Sequence, residues 1–261
     1  MLGTLILWFG WYGFNAGSAV KIDEDLNPVV IAKCVVNTTL AGASSCVTAL
    51  LINLVISERK TGEPVYNISS AINGCLAGLA AITGSCGIIE PWAAIVIGVI
   101  AGLIYLGTCT LLDKLCIDDA VDAIPVHFSG GAWGVLATGL FSSPKGLTEF
   151  DGNDEFVGWF YSWGRGSGDF ALMACQIIGL ISIILWVVVV MTPFFFILSY
   201  MGLLRSDALE EVVGLDISFH GYKPGEVSQH LIREYYQKHK RYDMVIPEDE
   251  EHDHAITDRF E

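Results

Sequence analysis

Six long apolar runs, separated by shorter polar segments, set the pattern of the chain. Each run holds about 20 or more predominantly apolar residues, which is the length an α-helix needs to cross a bilayer core of about 30 Å. Only helices or closed barrels satisfy backbone hydrogen bonds in lipid, so the pattern predicts an all-α polytopic membrane protein with six transmembrane helices. The predicted spans are residues 1–20, 29–56, 65–89, 91–112, 118–141 and 170–204.

The connections between these runs carry most of the charge. Residues 57–60 (SERK) are predicted to be a loop, and Lys33 lies near the start of the second span, where its side chain can snorkel to the interface. The polar loop 142–169 holds Trp159, Tyr161 and Trp163, which suit a lid at the membrane interface.

The sixth run is too long for a simple span. It has about 35 residues without a charge, and at about 1.5 Å per residue it would measure about 52 Å. A helix of that length must tilt strongly, kink at Pro193 or project into the cytoplasm.

Four of the six runs contain glycines four residues apart, a spacing that puts both on one helix face. Such pairs let two helix backbones approach closely, so they predict helix–helix contacts in a compact bundle. The alternative is that glycine is simply common in this chain. The pairs are Gly13/Gly17, Gly74/Gly78, Gly98/Gly102 and Gly130/Gly134.

Composition fits a membrane protein and excludes other classes. The chain has 261 residues, of which 52% are hydrophobic and 16% charged. Its net charge of −15 argues against a nucleic-acid partner, because phosphate binding needs clustered Lys and Arg. The seven cysteines include no CxxC pair, which favours packing between helices over a metal site or disulfides. We expect neither a metal nor a cofactor.

Loop charge predicts the orientation. With the first span running outward, the basic residues Arg59, Lys60, Lys114 and Arg205 fall inside, so the C-terminus is expected to be cytoplasmic. The chain then divides into a membrane domain, residues 1–204, and a cytoplasmic tail, residues 205–261. The plasma membrane is the expected location.

One titratable side chain lies inside the fifth span. His127 is the lone ionisable group in about 16 residues, and a titratable residue at membrane depth usually faces a bundle interior or a pathway. The alternative is a histidine that hydrogen-bonds to a neighbouring helix. In the first span, Trp11, Phe14 and Ser18 share one helix face by their spacing. Taken alone, this stripe is more typical of core packing.

Four motifs together resemble the second half of an Amt/Mep ammonium transporter, in the eukaryotic Amt1-like branch rather than the Rh branch. They are LWFGWYGFNAGSA (7–19), GSCGIIEPWAAIVIG (84–98), DDAVDAIPVHFSGGAWG (118–134) and GLDISFHG (214–221). The resemblance implies eleven helices, of which five plus five form two repeats of inverted topology and the eleventh is long. The six spans would then be helices six to eleven, and the five helices before them would be missing. It also implies a homotrimer with one narrow pore in each subunit.

The resemblance assigns roles at the outer end of the pore. Phe14 matches the phenylalanine of the external gate, and Ser18 matches the serine that bonds ammonium in the recruitment site. Trp11 matches a pore-lining tryptophan. Aromatic rings offer a face to a cation and the serine offers an oxygen, so these residue types suit the role.

Further residues match the pore and its inner end. His127 corresponds to the second histidine of the pore's pair, Thr83 to a pore-lining threonine, and Asp122 to the aspartate at the cytoplasmic end of the same helix. Phe128 departs from the family, which usually has Gly there, and this could alter packing beside the histidine. The first histidine and the other gate residues belong to the first repeat, so the chain is expected to supply one wall of a two-walled pore.

In the tail, Ser218 stands where plant-like members carry a threonine whose modification shuts the pore. We expect Ser218 to be a phosphorylation switch, since a phosphate adds up to two negative charges near Asp216. The alternative is an ordinary turn serine.

The resemblance implies transport rather than enzyme activity. Ammonium would be recruited and deprotonated at the outer face, and ammonia would pass through a hydrophobic, histidine-lined pore. A second hypothesis is a non-transporting subunit with a structural or regulatory role in the trimer, and a distant third is an unrelated receptor or sensor. An upstream in-frame repeat carrying the other pore residues would favour the first hypothesis.

Overall fold

The computed structural model describes residues 1–19 and 28–206, and this part of the chain contains helices and no strands. The all-α prediction is confirmed. The helices are α1 (Leu2–Ser18), α2 (Pro28–Thr61), α3 (Ile68–Ile82), α4 (Pro91–Leu115), α5 (Gly130–Phe141), α6 (Pro144–Asp151), α7 (Trp159–Gly164) and α8 (Ala171–Tyr200), with a π-helical turn (Ile124–Ser129) directly before α5.

Three of the described helices, α2, α4 and α8, are long and apolar enough to cross a membrane by length and composition. The other predicted spans contain shorter helices, of 17 residues in α1, 15 in α3 and 12 in α5. The count of six membrane spans therefore stays a prediction. The helix α8 has 30 residues instead of the expected 35 or so, and Pro193 lies inside it.

Two boundaries in the sequence analysis were wrong. Residues 57–60, expected to be a loop, continue α2 to Thr61, and the helix ends before Gly62, which has φ +82°. Glu, Arg and Lys are good helix formers, so α2 can extend beyond its apolar part. The third helix ends at Ile82, seven residues before the expected end at Ile89.

The early end of α3 has a clear physical reason. Residues 83–89 form irregular turns, which leave carbonyl groups without helical partners. The Asn37 side chain of α2 is fully buried and its Nδ2 donates to the carbonyls of Cys86 and Ile89, at 2.7 and 3.1 Å. A buried amide on one helix thus stabilises the non-helical segment that follows another.

The glycine pairs show how the helices pack. A Cβ added at Gly78 of α3 would lie 2.5 Å from Ser45 Cβ, and one at Gly102 of α4 would lie 2.8 Å from the Ser45 carbonyl oxygen. The central helix α2 therefore contacts α3 and α4 at glycine positions. Likewise, α5 packs on α3 where Gly130 meets Ala77.

Three of the four predicted glycine contacts are thus confirmed, and the one in α1 finds no partner among the described residues. Apart from the backbone of α1 itself, no atom of the described residues lies within 4 Å of the positions that a Cβ would take at Gly13 or Gly17. The cysteine prediction holds for Cys34, Cys75 and Cys86, which are buried free thiols. Two other cysteines, Cys116 and Cys175, are exposed.

The segment between α5 and α8, expected to be a polar loop, contains the two short helices α6 and α7. Ser143 caps α6 by accepting a bond of 2.9 Å from the Gly146 amide. Lys33, expected to snorkel, instead has a side chain only 11% exposed and pairs with Glu149 of α6. This ion pair joins α6 to α2.

Candidate functional site

Two of the residues singled out by the sequence, Trp11 and Thr83, are in direct contact. The indole Nε1 of Trp11 in α1 donates a 2.9 Å hydrogen bond to Thr83 Oγ1, just after α3. The Thr83 hydroxyl in turn donates to the Leu79 carbonyl oxygen, also at 2.9 Å. Because the Thr83 hydroxyl donates its only proton to a backbone carbonyl, its oxygen acts as the acceptor for the Trp11 indole. This contact joins α1 to the irregular segment after α3.

Phe14 and Ser18 lie on the exposed side of α1. The Phe14 side chain is 61% exposed, and Ser18 is exposed one turn later. The Ser18 hydroxyl donates 2.7 Å to the carbonyl of Phe14. Its proton is therefore engaged with the backbone, and the lone pairs of Oγ are left to accept a bond from a donor outside the helix.

The other side of α1 is held by polar residues that were not among the candidate site residues. Asn15 is 2% exposed, and its Nδ2 donates to Thr38 Oγ1 of α2 at 2.8 Å. Tyr12 and Thr39 share a second hydrogen bond of 2.8 Å between their hydroxyl oxygens. The signal was available, because Tyr12 and Asn15 are three residues apart in an otherwise apolar helix.

His127 lies in the π-helical turn, where the sequence analysis had expected ordinary helix. The turn begins with Pro125 near its start, and Asp119 accepts from the amides of Ala123 and Ile124 at 2.9 and 2.7 Å. Turns of this kind occur often at functional sites, since they rotate one side chain relative to the rest of the helix.

The imidazole of His127 is exposed and makes no hydrogen bond to a residue that the structure describes. The alternative of a histidine bonded to a neighbouring helix therefore finds no support among the described residues. Phe128 beside it is 56% exposed, so the residue that departs from the expected glycine points away from the packed core. That His127 faces a lumen stays a prediction.

Asp122 is an anchor for two other helices. Its Oδ2 accepts from Asn73 Nδ2 of α3 and from the Tyr105 hydroxyl of α4, both at 2.8 Å. Asp122 also has a left-handed backbone with φ +55°, which Asp tolerates better than most residues. The partners Asn73 and Tyr105 were missed, although a polar residue inside each apolar run was the available signal. The arrangement fits a structural role beside the histidine turn.

The seventh candidate, Ser218, lies outside the described residues. The others form two groups: Trp11, Phe14, Ser18 and Thr83 at the contact between α1 and the end of α3, and Asp122 with His127 at the start of the fifth span. Within the described residues, no group of three or more His, Cys, Asp or Glu side chains could hold a metal ion.

Comparison with known proteins decides the family. The model of the Ammonium Transporter Family matches residues 1–224. The chain belongs to the ammonium transporter family. This confirms the resemblance inferred from the four motifs, and the family is one of transporters.

Ammonium transporter 1 member 1 of Arabidopsis thaliana is 39% identical over 233 residues, which cover 85% of the chain and 44% of the relative. Ammonium transporter 1 member 3 of Solanum lycopersicum is 37% identical over 246 residues, covering 88% of the chain and 50% of the relative. The chain thus spans about half the length of these relatives.

Solved structures agree on the fold. Saccharomyces cerevisiae Mep2 has a TM-score of 0.65 at 27% identity, over 78% of the chain and 44% of that protein. A structure described as a sensor Amt protein has a TM-score of 0.64 at 31% identity, over 83% of the chain and 47% of that protein. The helices described above therefore adopt the arrangement of part of an Amt/Mep transporter.

Proposed function

We propose that the chain takes part in ammonium transport across a membrane, by contributing one wall of a pore that conducts ammonia. The observation that carries the proposal is the face of α1 that bears Phe14 and Ser18. This face stays exposed, while Tyr12 and Asn15 hold the helix against α2. A wall of this kind presents an aromatic ring and a hydroxyl oxygen to whatever lies opposite. Family membership and the names of the relatives supply the substrate class.

The first step is recruitment of the ammonium ion. The exposed ring of Phe14 offers a π face, and such contacts contribute about 0.5–1 kcal/mol at exposed sites and about 2 when water is excluded. Ser18 adds an acceptor, since its own proton is donated to the Phe14 carbonyl. An ammonium ion can use both groups, placing its charge over the ring and donating an N–H to the oxygen. Trp11 supports this face through its bond to Thr83.

The second step is transfer of a proton from ammonium to water at the outer face, which gives hydronium and neutral ammonia. Carrying a bare ion through an apolar pore costs several kcal/mol or more, because its hydration is not replaced. Ammonium alone among similar cations can release a proton and continue as a neutral molecule. In the proposed pore, an apolar lining opposes potassium without a size filter.

The third step is passage of ammonia beside His127. An imidazole has one nitrogen that donates and one that accepts, so it can exchange hydrogen bonds with ammonia. The π-helical turn places this side chain outside the packed core, and Asp119 fixes the start of the turn. Asp122 holds the turn to α3 and α4 through Asn73 and Tyr105.

The proposed setting is a homotrimer in the plasma membrane with the tail, residues 205–261, in the cytoplasm. Ser218 of that tail is the proposed phosphorylation switch. In cells where transport by the chain has been established, Ser218→Asp is expected to abolish uptake and Ser218→Ala to preserve it. Equal uptake by Ser218→Asp and the unmodified chain would exclude the switch.

The proposal is tested by growth on low ammonium in cells that lack their own uptake systems. The chain is expressed alone, and together with the part of the Arabidopsis relative that it does not match. We expect rescue in the paired expression and loss of rescue with His127→Ala. Val121→Ala is the matched control, because Val121 is 74% exposed and lies outside the proposed path. Surface expression is measured for every variant.

Expressed alone, the chain is expected to insert and stay silent, since its gate and histidine need partners from the other wall. Growth with the chain alone, abolished by His127→Ala, would overturn the one-wall proposal. Surface-expressed pairs that never restore growth would overturn the transport proposal itself.

A non-transporting subunit with a structural or regulatory role in the trimer is the second candidate. It predicts that the chain alters uptake by co-expressed full-length transporters and that His127→Ala leaves this effect unchanged.

A further inference from the structure

A continuous row of six aromatic rings connects the ends of three helices. The ring centroids of successive partners lie 5.8, 5.3, 6.2, 4.7 and 5.2 Å apart. Most of the pairs are edge-on or tilted, which is the favourable geometry for aromatic contacts. In order, the row consists of Trp92, Phe141, Phe160, Trp163, Trp159 and Phe170.

The short helix α7, which carries three of these rings, is held in place by contacts with the end of α5 and by its own buried serine. The Gly158 amide donates to the Ser142 carbonyl at 2.8 Å, and a Cβ at Gly158 would lie 2.5 Å from the Leu140 carbonyl oxygen. Ser162 is fully buried and its hydroxyl lies 2.9 Å from that of Ser167. One side of α7 therefore packs on the end of α5.

Four of the six rings remain substantially open. Trp92 is 52% exposed, Phe160 43%, Trp163 56% and Phe170 40%. A rigid, ordered aromatic surface that stays open is unusual for a face in contact with water alone. Something amphipathic is expected to cover it.

The position of the row identifies that partner. Trp92 is in the first turn of α4 and Phe170 directly precedes α8, and both helices are candidate membrane spans. Phe141 is the last residue of α5. The row thus lies at one end of the helices, at the level where apolar spans meet polar connections. Tryptophan and tyrosine are enriched at this level in membrane proteins, because their amphipathic rings suit the headgroup region.

Polar groups flank the row on one side. Burial, together with the Glu90 carboxylate, raises the pKa of Tyr161, so its hydroxyl stays neutral and available for hydrogen bonds. Arg165 pairs with Asp154 close to the same helix. Rings with polar groups at one edge match the gradient from headgroups to acyl chains.

We propose that this row, carried by α7, is a lipid-binding surface that fixes the depth of the helices at the boundary between phospholipid headgroups and acyl chains. The surface would hold α7 in the plane of the interface and set the level at which α4 and α8 enter the bilayer. This proposal does not depend on transport.

The test uses the full chain in phosphatidylcholine vesicles and measures quenching of tryptophan fluorescence by brominated lipids. Lipids brominated near the headgroup are expected to quench Trp163 and Trp92. In Trp163→Phe, the amount of emission that these lipids quench should fall by about the emission of one tryptophan out of the seven in the chain. Trp133→Phe is the matched control, because the Trp133 indole donates to the Ile97 carbonyl within the bundle, and it should leave the amount of quenched emission unchanged.

Each other outcome overturns the proposal. Quenching of Trp163 by aqueous acrylamide and not by lipid would place the row in water. Quenching chiefly by bromines near the acyl ends would place it in the hydrocarbon. Protection from every quencher, with cross-links between two copies at this face, would show a protein contact. Circular dichroism of each variant checks that the fold is retained.

Discussion

The contact between α2 and α4 offers a sharp test of how the bundle packs. Gly102 and Gly107 both lie in α4, five residues apart, but only Gly102 faces another helix. A Cβ at Gly102 would meet the Ser45 carbonyl oxygen at 2.8 Å, Thr48 Cβ at 3.1 Å and the Ala49 amide nitrogen at 3.3 Å, whereas one at Gly107 would meet nothing within 4 Å. We therefore compare Gly102→Ala with Gly107→Ala.

The magnitude follows from these distances. Both substitutions gain the same helix propensity, about 0.8–1 kcal/mol, so this contribution cancels in the comparison. Only Gly102→Ala forces backbone atoms apart, from 2.8 Å toward ordinary contact at 3.4 Å or more. Overpacking of this kind costs about 1–3 kcal/mol. At about 2–4 °C for each kcal/mol in a chain of this size, Gly102→Ala should unfold about 2–12 °C below Gly107→Ala.

The assay is thermal unfolding in detergent, followed with a dye that fluoresces on reaction with thiols. Cys34, Cys75 and Cys86 are buried free thiols that react only when the helices separate, so the rise in dye fluorescence measures unfolding. Equal midpoints, or a higher midpoint for Gly102→Ala, would refute the argument that α2 and α4 touch at this glycine.

The same midpoint checks three further predictions. Trp11→Phe loses the hydrogen bond to Thr83. Trp8→Phe removes only a buried indole N–H that has no acceptor among the described residues. The Trp11→Phe variant should therefore be less stable than the Trp8→Phe variant by about 1–3 kcal/mol. Tyr105→Phe loses one hydrogen bond to a charged group and should destabilise the fold by about 1.5–3 kcal/mol. Asp122→Ala leaves two donors, on Asn73 and Tyr105, without their carboxylate and should destabilise it more. Cys116→Gly should raise stability by about 1 kcal/mol, because Cys116 ends α4 with φ +53°, a conformation that suits glycine.

The hydrophobic runs located most of the helices because burial in lipid demands a long uncharged segment whatever its neighbours are. The glycine spacing located the contacts of α3 and α4 with α2 for a similar reason, since a smooth face is a local property of one helix. It failed in α1, where Gly13 and Gly17 have the same spacing but no described neighbour. The spacing shows that a neighbouring helix can approach closely, but only the three-dimensional fold shows whether one does.

Features that depend on distant partners could not be inferred in this way. Asp122 and Asn73 are 49 residues apart, and Lys33 and Glu149 are 116 apart. Each pair depends on how several helices are placed together. The π-helical turn at His127 also gave no periodic signal, since it is only six residues long. Its ends are set by Asp119 and by the contact of Gly130 with Ala77.

The first helix shows most clearly why a core and a pathway look alike in sequence. Hydrophobicity predicts that Phe14 is buried and Asn15 exposed, and the structure has the reverse, with Phe14 61% and Asn15 2% exposed. A buried amide is stable only when it is hydrogen-bonded, and Asn15 donates to Thr38. An exposed phenylalanine at the level of membrane helices needs a partner other than water. The inversion means that α1 packs on polar groups of α2 on one side and leaves an aromatic ring uncovered on the other, an arrangement that fits the proposed wall of a pore.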